Sequence, residues 1–256
     1  VSSEIPTADL QRACELLRAA KHAVALTGAG ISTPSGIPDF RSTGSGLWTR
    51  YNPMEVASIS AFRLNPEKFY KWMQPMAKLI RDAKPNPAHI ALARLEAGGR
   101  IHGVITQNID ALHAAAGSKR VVEIHGHLRK ATCGSCYREV RTDSVLNHYI
   151  ESGEVPSCPE CGGILKPGAV LFGEELPYAA VREARDWIDA CDLLIVVGSS
   201  LEVTPVAFFP VEALNAGANL IIVNRDPTYV DARADAVFHQ DVAVVLPRLA
   251  EEILGE

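Results

Sequence analysis

Six short apolar runs alternate with segments of helical period along the chain, and most of the runs end in a polar or glycine-rich turn. The runs fall at 23–27, 101–106, 121–124, 193–197, 220–223 and 236–239. Helical spacing occupies 7–20, 88–97, 178–190, 205–216 and 242–253, and Gln107–Asp110 is expected to open a further helix ending near Gly117. Such alternation predicts an α/β fold built on a doubly wound parallel sheet. Ligands then bind at the carboxyl ends of the strands, where strand order reverses. Gly28–Arg41, Gln107–Asp110, His125, Gly198–Ser200 and Asn224 all follow strands, so five polar segments are expected to share one rim.

Gly28–Arg41, GAGISTPSGIPDFR, follows the first run. Gly28-Ala29-Gly30 supplies half of a dinucleotide fingerprint, with Thr33 where the third glycine would stand. Small residues after a buried strand let backbone N–H groups approach a phosphate; a turn without ligand is the plain alternative. The segment closes on an acid, a ring and a guanidinium: Asp39, Phe40 and Arg41.

Two stretches break the alternation. Residues 42–84 begin Gly/Ser-rich, suited to a hinge or cofactor loop, and gather Trp48, Tyr51, Phe62, Phe69, Tyr70 and Trp72 with three methionines. A helical unit with its own core is expected for most of these, against a mobile aromatic cover. Residues 131–167 carry Cys133-x2-Cys136 and Cys158-x2-Cys161, with 21 residues between the pairs. Two such knuckles read as a tetrahedral four-cysteine zinc site, and four thiolates leave no open position, so the metal is expected to be structural. A redox C-x-x-C would leave the second pair unexplained. Arg129, Lys130, Arg138 and Arg141 lie nearby, but a net charge of −5 disfavours nucleic acid as a partner. Cys14 and Cys191 lie in apolar patterns and are expected in the core.

His125 comes off a strand and precedes a glycine, which leaves its ring room at the rim; imidazole is the natural general base near neutral pH. His113 and His127 compete with it, and a hydrogen-bonded turn histidine is the plain alternative. Asn108 and Asp110 could be helix caps, yet with Gln107 they exceed what one cap needs, and Asp110 could accept a bond from a carboxamide. Ser199 and Ser200 suit phosphate or ribose hydroxyls, and Asn224 suits a ribose.

These motifs together resemble the sirtuins, the NAD-dependent protein-lysine deacylases. The resemblance rests on GAGIS-T-x-SGIPDFR, TQNID at Thr106–Asp110, His125-Gly126, both C-x2-C pairs, KPGAVLFGE at Lys166–Glu174, GSSL at Gly198–Leu201 and Val223-Asn224, in family order over nearly the whole chain. It implies a Rossmann-like large domain (1–41, 85–130 and 168–256) and a small domain. The latter combines the cofactor loop and helical insert (42–84) with the zinc module (131–167), and NAD meets substrate in the cleft. Gly28, Ala29, Gly30, Thr33, Asp39, Phe40 and Arg41 would then line the dinucleotide site. Gln107, Ile109 and Asp110 would form the nicotinamide pocket, and Asn108 would orient ribose or water. Gly198, Ser199, Ser200, Asn224 and Arg225 would hold the adenosine half, with Val242 near the adenine. Val170, Phe172 and Gly173 would pair with an extended acyl-lysine peptide by strand addition.

The implied reaction consumes NAD. The acyl oxygen attacks C1′ as nicotinamide leaves, and His125 deprotonates the ribose hydroxyl system so that the 2′-oxygen attacks the imidate carbon. Water then completes release of lysine and O-acyl-ADP-ribose. Zinc takes no part. Relatives that prefer acidic acyl groups carry a Tyr-x-x-Arg pair, where this chain has Met73 and Met76; an apolar acyl preference is therefore expected. Mono-ADP-ribosyl transfer and noncatalytic NAD or ADP-ribose sensing are the alternative functions. No apolar run approaches the roughly 20 residues of a membrane span, and a cytoplasmic protein is expected. Oligomeric state is not read from the sequence.

Overall fold

The computed structural model describes residues 5–40 and 46–255. Arg41 and the expected hinge at 42–45 lie outside the described residues. In chain order the elements are α1 (Thr7–Ala19), β1 (Ala23–Thr27), α2 (Pro53–Val56), α3 (Ile59–Leu64), α4 (Pro66–Asp82), α5 (Pro87–Ala97), β2 (Gly103–Thr106), α6 (Leu112–Ala116) and β3 (Val121–Glu123). They continue with β4 (Gly126–Cys133), β5 (Glu139–Arg141), α7 (Asp143–Ser152), β6 (Leu165–Ala169), α8 (Tyr178–Ala190), β7 (Leu193–Val197), α9 (Phe209–Asn215), β8 (Asn219–Val223), β9 (Ala236–Phe238) and α10 (Val242–Leu254).

The main sheet has six strands in the order β3-β2-β1-β7-β8-β9, every pair parallel. Order reverses between β1 and β7, whose residues pair in register from Ala23 opposite Leu193 to Thr27 opposite Val197. Both strands are buried throughout, as continuous apolar runs in a two-faced sheet require. Alternate residues serve opposite faces. Ala23, Ala25, Leu193, Ile195 and Val197 pack with α1, α5 and α10, while Val24, Leu26, Leu194 and Val196 pack with α8 and α9.

A second sheet, β5-β4-β6, is antiparallel and frames the cysteine segment. A third core joins the helical insert to this segment: Phe62, Phe69, Tyr70, Met73 and Met76 pack with Tyr149, Ile150, Leu128 and Leu171. Phe69 sits edge-on to both Phe62 and Tyr70, and the Tyr149 hydroxyl donates to the Tyr70 carbonyl. The insert therefore shares its core with the cysteine segment; it does not have one to itself. Cys14 and Cys191 are buried as expected, and burial pushes the Cys191 thiol up to about 11.

Two local expectations fail. Gln107–Asp110 does not open a helix: α6 begins at Leu112, after Ala111 in the left-handed region at φ 60°. The polar side chains of 107–110 bond outward to neighbouring loops, which holds this stretch off helical geometry. The turn expected after β1 is also more regular than a turn. A 3-10 helix runs over Ala29–Ser35 with Pro34 inside it, and Gly36 at φ 86° stops it.

Candidate active site

Three glycines lock the switch point. Gly28 N–H donates to Val197 O (3.1 Å) and Gly30 N–H to Gly198 O (2.8 Å). A Cβ on Gly28 would lie 2.8 Å from Gly198 O, and one on Gly30 would lie 2.8 Å from Gly198 Cα. Gly198 itself has φ 59°, and a Cβ there would lie 2.2 Å from Ile31 N. The loops after β1 and β7 thus touch backbone to backbone. This contact, as well as any approach to phosphate, demands glycine at all three positions.

The loop after β2 reaches across this lock. Gln107 Nε2 donates to Ser199 Oγ (2.9 Å). Asn108 is buried, and its Nδ2 donates to Gly28 O and to Ser32 Oγ, each at 3.1 Å. Asp110 accepts from Ser32 Oγ (2.7 Å) and from the Leu112 amide (2.9 Å). Burial pushes its carboxyl above the usual range, and those two bonds pull the other way. Asp110 bonds the first amide of α6 from just ahead of the N-cap Ala111, while Asn108 touches no helix amide and ties loops together.

His125 leaves β3 at the same rim. Its Nδ1 lies 3.1 Å from Gln107 O. A carbonyl only accepts, so Nδ1 carries the proton and Nε2 holds the free lone pair. Burial lowers the imidazole below its ordinary value, against that hydrogen bond, so the ring is neutral at pH 7. Gly126, at φ 74°, lets the chain cross Gly168, whose carbonyl oxygen would lie 2.1 Å from a Cβ. Of the competitors, His113 is buried under the site and His127 lies in β4.

Ser199 is buried and its hydroxyl also accepts from Leu201 N (3.3 Å). Beyond it, Asn224 Nδ2 donates to Asp226 O (2.7 Å), and Asn224 O accepts from His239 Nδ1 (2.8 Å). Arg225 is ion-paired with Asp241, the N-cap of α10 ahead of Val242. Thr33 Oγ1 donates to Gly30 O (3.0 Å). Ala29, Ser200 and Asp39 are half-buried along the same edge.

Phe40 stacks on Trp48 with centroids 5.0 Å apart, and Trp48 meets Trp72 (6.1 Å) and the edge of Phe172 (5.9 Å). Trp48 thus joins the cofactor-loop ring to α4 and to the 170–173 segment. Phe172 N–H donates to Ala57 O and its carbonyl accepts from Ile59 N, both at 3.0 Å, while Val170 N–H donates to His125 O (2.9 Å). A peptide pairing at Val170, Phe172 and Gly173 has to extend or displace these contacts.

Beneath the rim lies a buried polar layer that the sequence reading passed over. His89 Nδ1 accepts from Asn86 N (3.4 Å), so its Nε2–H points at Ser32 Oγ (3.5 Å). His113 Nε2 lies 2.9 Å from Thr27 Oγ1, which donates to Thr106 Oγ1 (2.8 Å). Desolvation pushes His89 down to about 4 and His113 to about 3, so both stay neutral. The signal for His89 was a lone histidine in the otherwise apolar pattern of α5. Ser32 and Trp48 stood inside motifs already singled out. His239 had no signal before β8 and β9 were paired.

The four cysteine Sγ atoms all lie within 4.8 Å of one another. Cys133–Cys161 is 3.5 Å and Cys136–Cys158 is 3.9 Å, against the ~3.8 Å sulfur–sulfur edge of a tetrahedral zinc–thiolate site. The Cys136 and Ser135 amides point at Cys133 Sγ, at 3.5 and 3.4 Å, and pull its thiol down to about 6. A Cβ on Gly163 would strike Cys133 Sγ at 2.8 Å. The cluster is thus shaped for a metal ion. Zinc bound here would cross-link two loops and leave no position for a reactant.

Fold and site define a Rossmann-type nucleotide-binding protein with a four-cysteine structural metal module. Hydroxyls and an amide line one side of its switch point, and a buried carboxyl and a neutral histidine line the other. That donor set fits a dinucleotide. The Sir2 family model matches residues 28–205. The NAD-dependent protein deacylase 2 of Archaeoglobus fulgidus is 46% identical over 246 residues, 96% of each chain. A solved Sir2 enzyme superposes with a TM-score of 0.92 at 45% identity, covering 98% of this chain and 99% of that one. Another, solved with a p53 peptide and NAD+, gives 0.86 at 41% identity over 94% and 97%. The chain belongs to the Sir2 family.

Proposed function

We propose that this protein removes acyl groups from protein lysines with NAD as co-substrate, yielding nicotinamide, free lysine and O-acyl-ADP-ribose. The observation that carries the reading is the neutral His125, its Nδ1–H fixed on Gln107 O, at the rim of a Rossmann switch point in a Sir2 chain. NAD supplies an electrophilic ribose carbon when bound, and the chain's own groups arrange the chemistry around it. His125 Nε2 takes the proton from a ribose hydroxyl. Asp110, Gln107 and Ile109 hold the carboxamide end, and Asn108, anchored on Gly28 O and Ser32, orients ribose or water.

Ser199, Ser200, Asn224 and Arg225 hold the adenosine half beside Val242. Ala29, Thr33, Asp39, Phe40 and Arg41 line the phosphate and nicotinamide side. Val170, Phe172 and Gly173 receive the peptide backbone. In this reading 1–41, 85–130 and 168–256 make up the large domain, and 42–84 and 131–167 the small one. Among the described residues no helix is long and apolar enough to cross a membrane, and four cysteines grouped as metal thiolates with two buried thiols fit the reducing cytoplasm as the compartment.

An acyl-peptide panel assayed with and without NAD tests the reading, with products identified by mass. O-acyl-ADP-ribose and free lysine are expected; ADP-ribosylated protein would mark a transferase instead. His125→Ala is expected to abolish turnover, a loss on the order of 100-fold or more, while NAD binding largely survives. Near-normal deacylation in that variant refutes the assigned role.

A further inference from the structure

The reaction uses the carboxyl ends of the strands. The amino ends of β1, β2 and β3, at the opposite edge of the sheet, carry a second cluster that it leaves unused. A pocket of about 300 Å³ opens there. Lys21 and His22 line it ahead of β1, Arg100 and His102 ahead of β2, and Lys119 and Arg120 ahead of β3. The parallel register sets this convergence: His102 N–H donates to Ala23 O, and Val104 N–H to Arg120 O.

Among the described residues, the cations at this edge stand outside any ion pair. The His22 and His102 rings face each other with centroids 4.1 Å apart, and His102 stands edge-on to Trp187. Arg120 Nη1 lies 2.9 Å from His102 Nδ1. A guanidinium only donates, so this cation rests on a neutral ring nitrogen. Two carboxylates are close, and the hydrogen bonds they accept come from backbone amides. Asp192 takes those of Lys21 (2.7 Å) and His22 (2.9 Å); Glu96 takes those of Lys119 (3.0 Å) and Arg120 (2.7 Å). Among the described residues, none of Lys21, Arg100, Lys119 and Arg120 has a carboxylate within salt-bridge distance. Four cations outside any ion pair among the described residues thus ring one pocket with a single lining acid, Glu96, in a chain whose net charge is −5.

We propose that this pocket is a binding site for a phosphate-type oxyanion. Two guanidiniums offer forked donors that match tetrahedral oxygens, and two ammonium groups add point charge. The pocket has room for one or two linked phosphate groups. A long polyanion is disfavoured, because the rest of the acidic surface repels it. Binding is linked to protons. The groups facing His102 are His22, Arg120 and Glu96, with Lys21, Arg100 and Lys119 around the rim and Asp192 behind His22. Burial, then His22 and Arg120, hold His102 below the ordinary imidazole value. An anion placed among them removes that repulsion and favours the imidazolium form.

The test follows the ring C–H resonances of His22 and His102 at pH 7 and constant ionic strength, during separate titrations with inorganic phosphate, pyrophosphate, AMP and a 20-nucleotide oligomer. The expected result is a saturable shift of the His102 ring toward imidazolium, with the resonances of the facing His22 ring perturbed along the same binding curve. Pyrophosphate should bind more tightly than phosphate, and AMP should match phosphate if a terminal phosphate group is what is read. Arg100→Ala with Arg120→Ala should weaken this by about tenfold or more, with kcat and KM for NAD unchanged. Should that pair fail to fold, Arg100→Gln with Lys119→Gln carries the same expectation. A linear drift equal to that given by chloride overturns the proposal, as does equal binding by the folded double variant. Tighter binding of the oligomer than of pyrophosphate replaces it with a nucleic-acid surface.

Discussion

At the scale of single residues, the buried histidines make a claim about acid stability. His89 and His113 are held neutral in the fold, at about 4 and about 3, whereas an unfolded imidazole titrates near 6.5. Between those values the unfolded chain binds protons that the native chain refuses, so stability is fully present above about pH 6.5 and falls as the pH drops. Each histidine contributes roughly 2 kcal/mol of loss between pH 7 and pH 5. His113→Gln removes one of these titrations while its amide can still donate to Thr27. Urea unfolding of the variant is expected to lose about 2 kcal/mol less over that interval than the wild type does. Equal losses would show that the ring does not carry this linkage. The comparison cancels the pH dependence of the cysteine cluster, which both proteins share.

At the scale of elements, the two loops at the switch point and helix α4 make claims that differ in kind. Gly198→Ala must relieve a 2.2 Å approach to Ile31 N at a positive φ, and the partner atom is backbone and cannot swing away. Gly36 also has positive φ, 86°, but nothing lies within 4 Å of its Cβ position. Chemical denaturation is therefore expected to separate them: about 1 kcal/mol lost for Gly36→Ala and roughly 3 kcal/mol or more for Gly198→Ala. Similar costs at both sites would overturn the backbone-to-backbone account. This contact marks where sequence reading stops. Strands β1, β7 and β8 and their carboxyl-end turns were legible because a two-faced parallel sheet forces continuous apolar runs. That Gly30 needs no side chain because Gly198 lies against it depends on the pairing of strands 170 residues apart, which no local pattern encodes. The same holds for Trp48: its composition said core, and only packing places it between Phe40 and Phe172. In α4, Met73 and Met76 are buried in the shared core, while Trp72 stays half-exposed beside Trp48. No cation faces an acyl chain from these positions, so acetyl- and butyryl-lysine peptides are expected to turn over at least about tenfold faster than succinyl-lysine, since an unpaired buried carboxylate is costly. Faster desuccinylation in that panel would refute this preference.

At the scale of the whole molecule, the cysteine segment props up the helical insert and leaves the six-stranded sheet to stand alone. Its private core is small: Ala131, Cys133, Cys158 and Leu165, with Val140 and Val145 against them. That much apolar surface does not hold a segment of this length, so the four sulfurs must be cross-linked for the module to persist. Its effect reaches further, because α7 from the same segment supplies Tyr149 and Ile150 to the core shared with α4, and α4 carries Trp72 against Trp48. The six-stranded sheet has separate cores on each face, and the cysteine cluster touches neither. Stripping the metal with a chelator is therefore expected to raise hydrogen exchange across 131–167 and α4 and to abolish turnover, while β1, β7 and β8 stay protected. Reloading with Cd²⁺, which takes the same four thiolates, should restore kcat to within about twofold of the zinc form, because a closed four-cysteine site has no position for a reactant. A kcat that tracks the identity of the metal would instead place the ion in the chemistry, and His125 would then no longer suffice as the base.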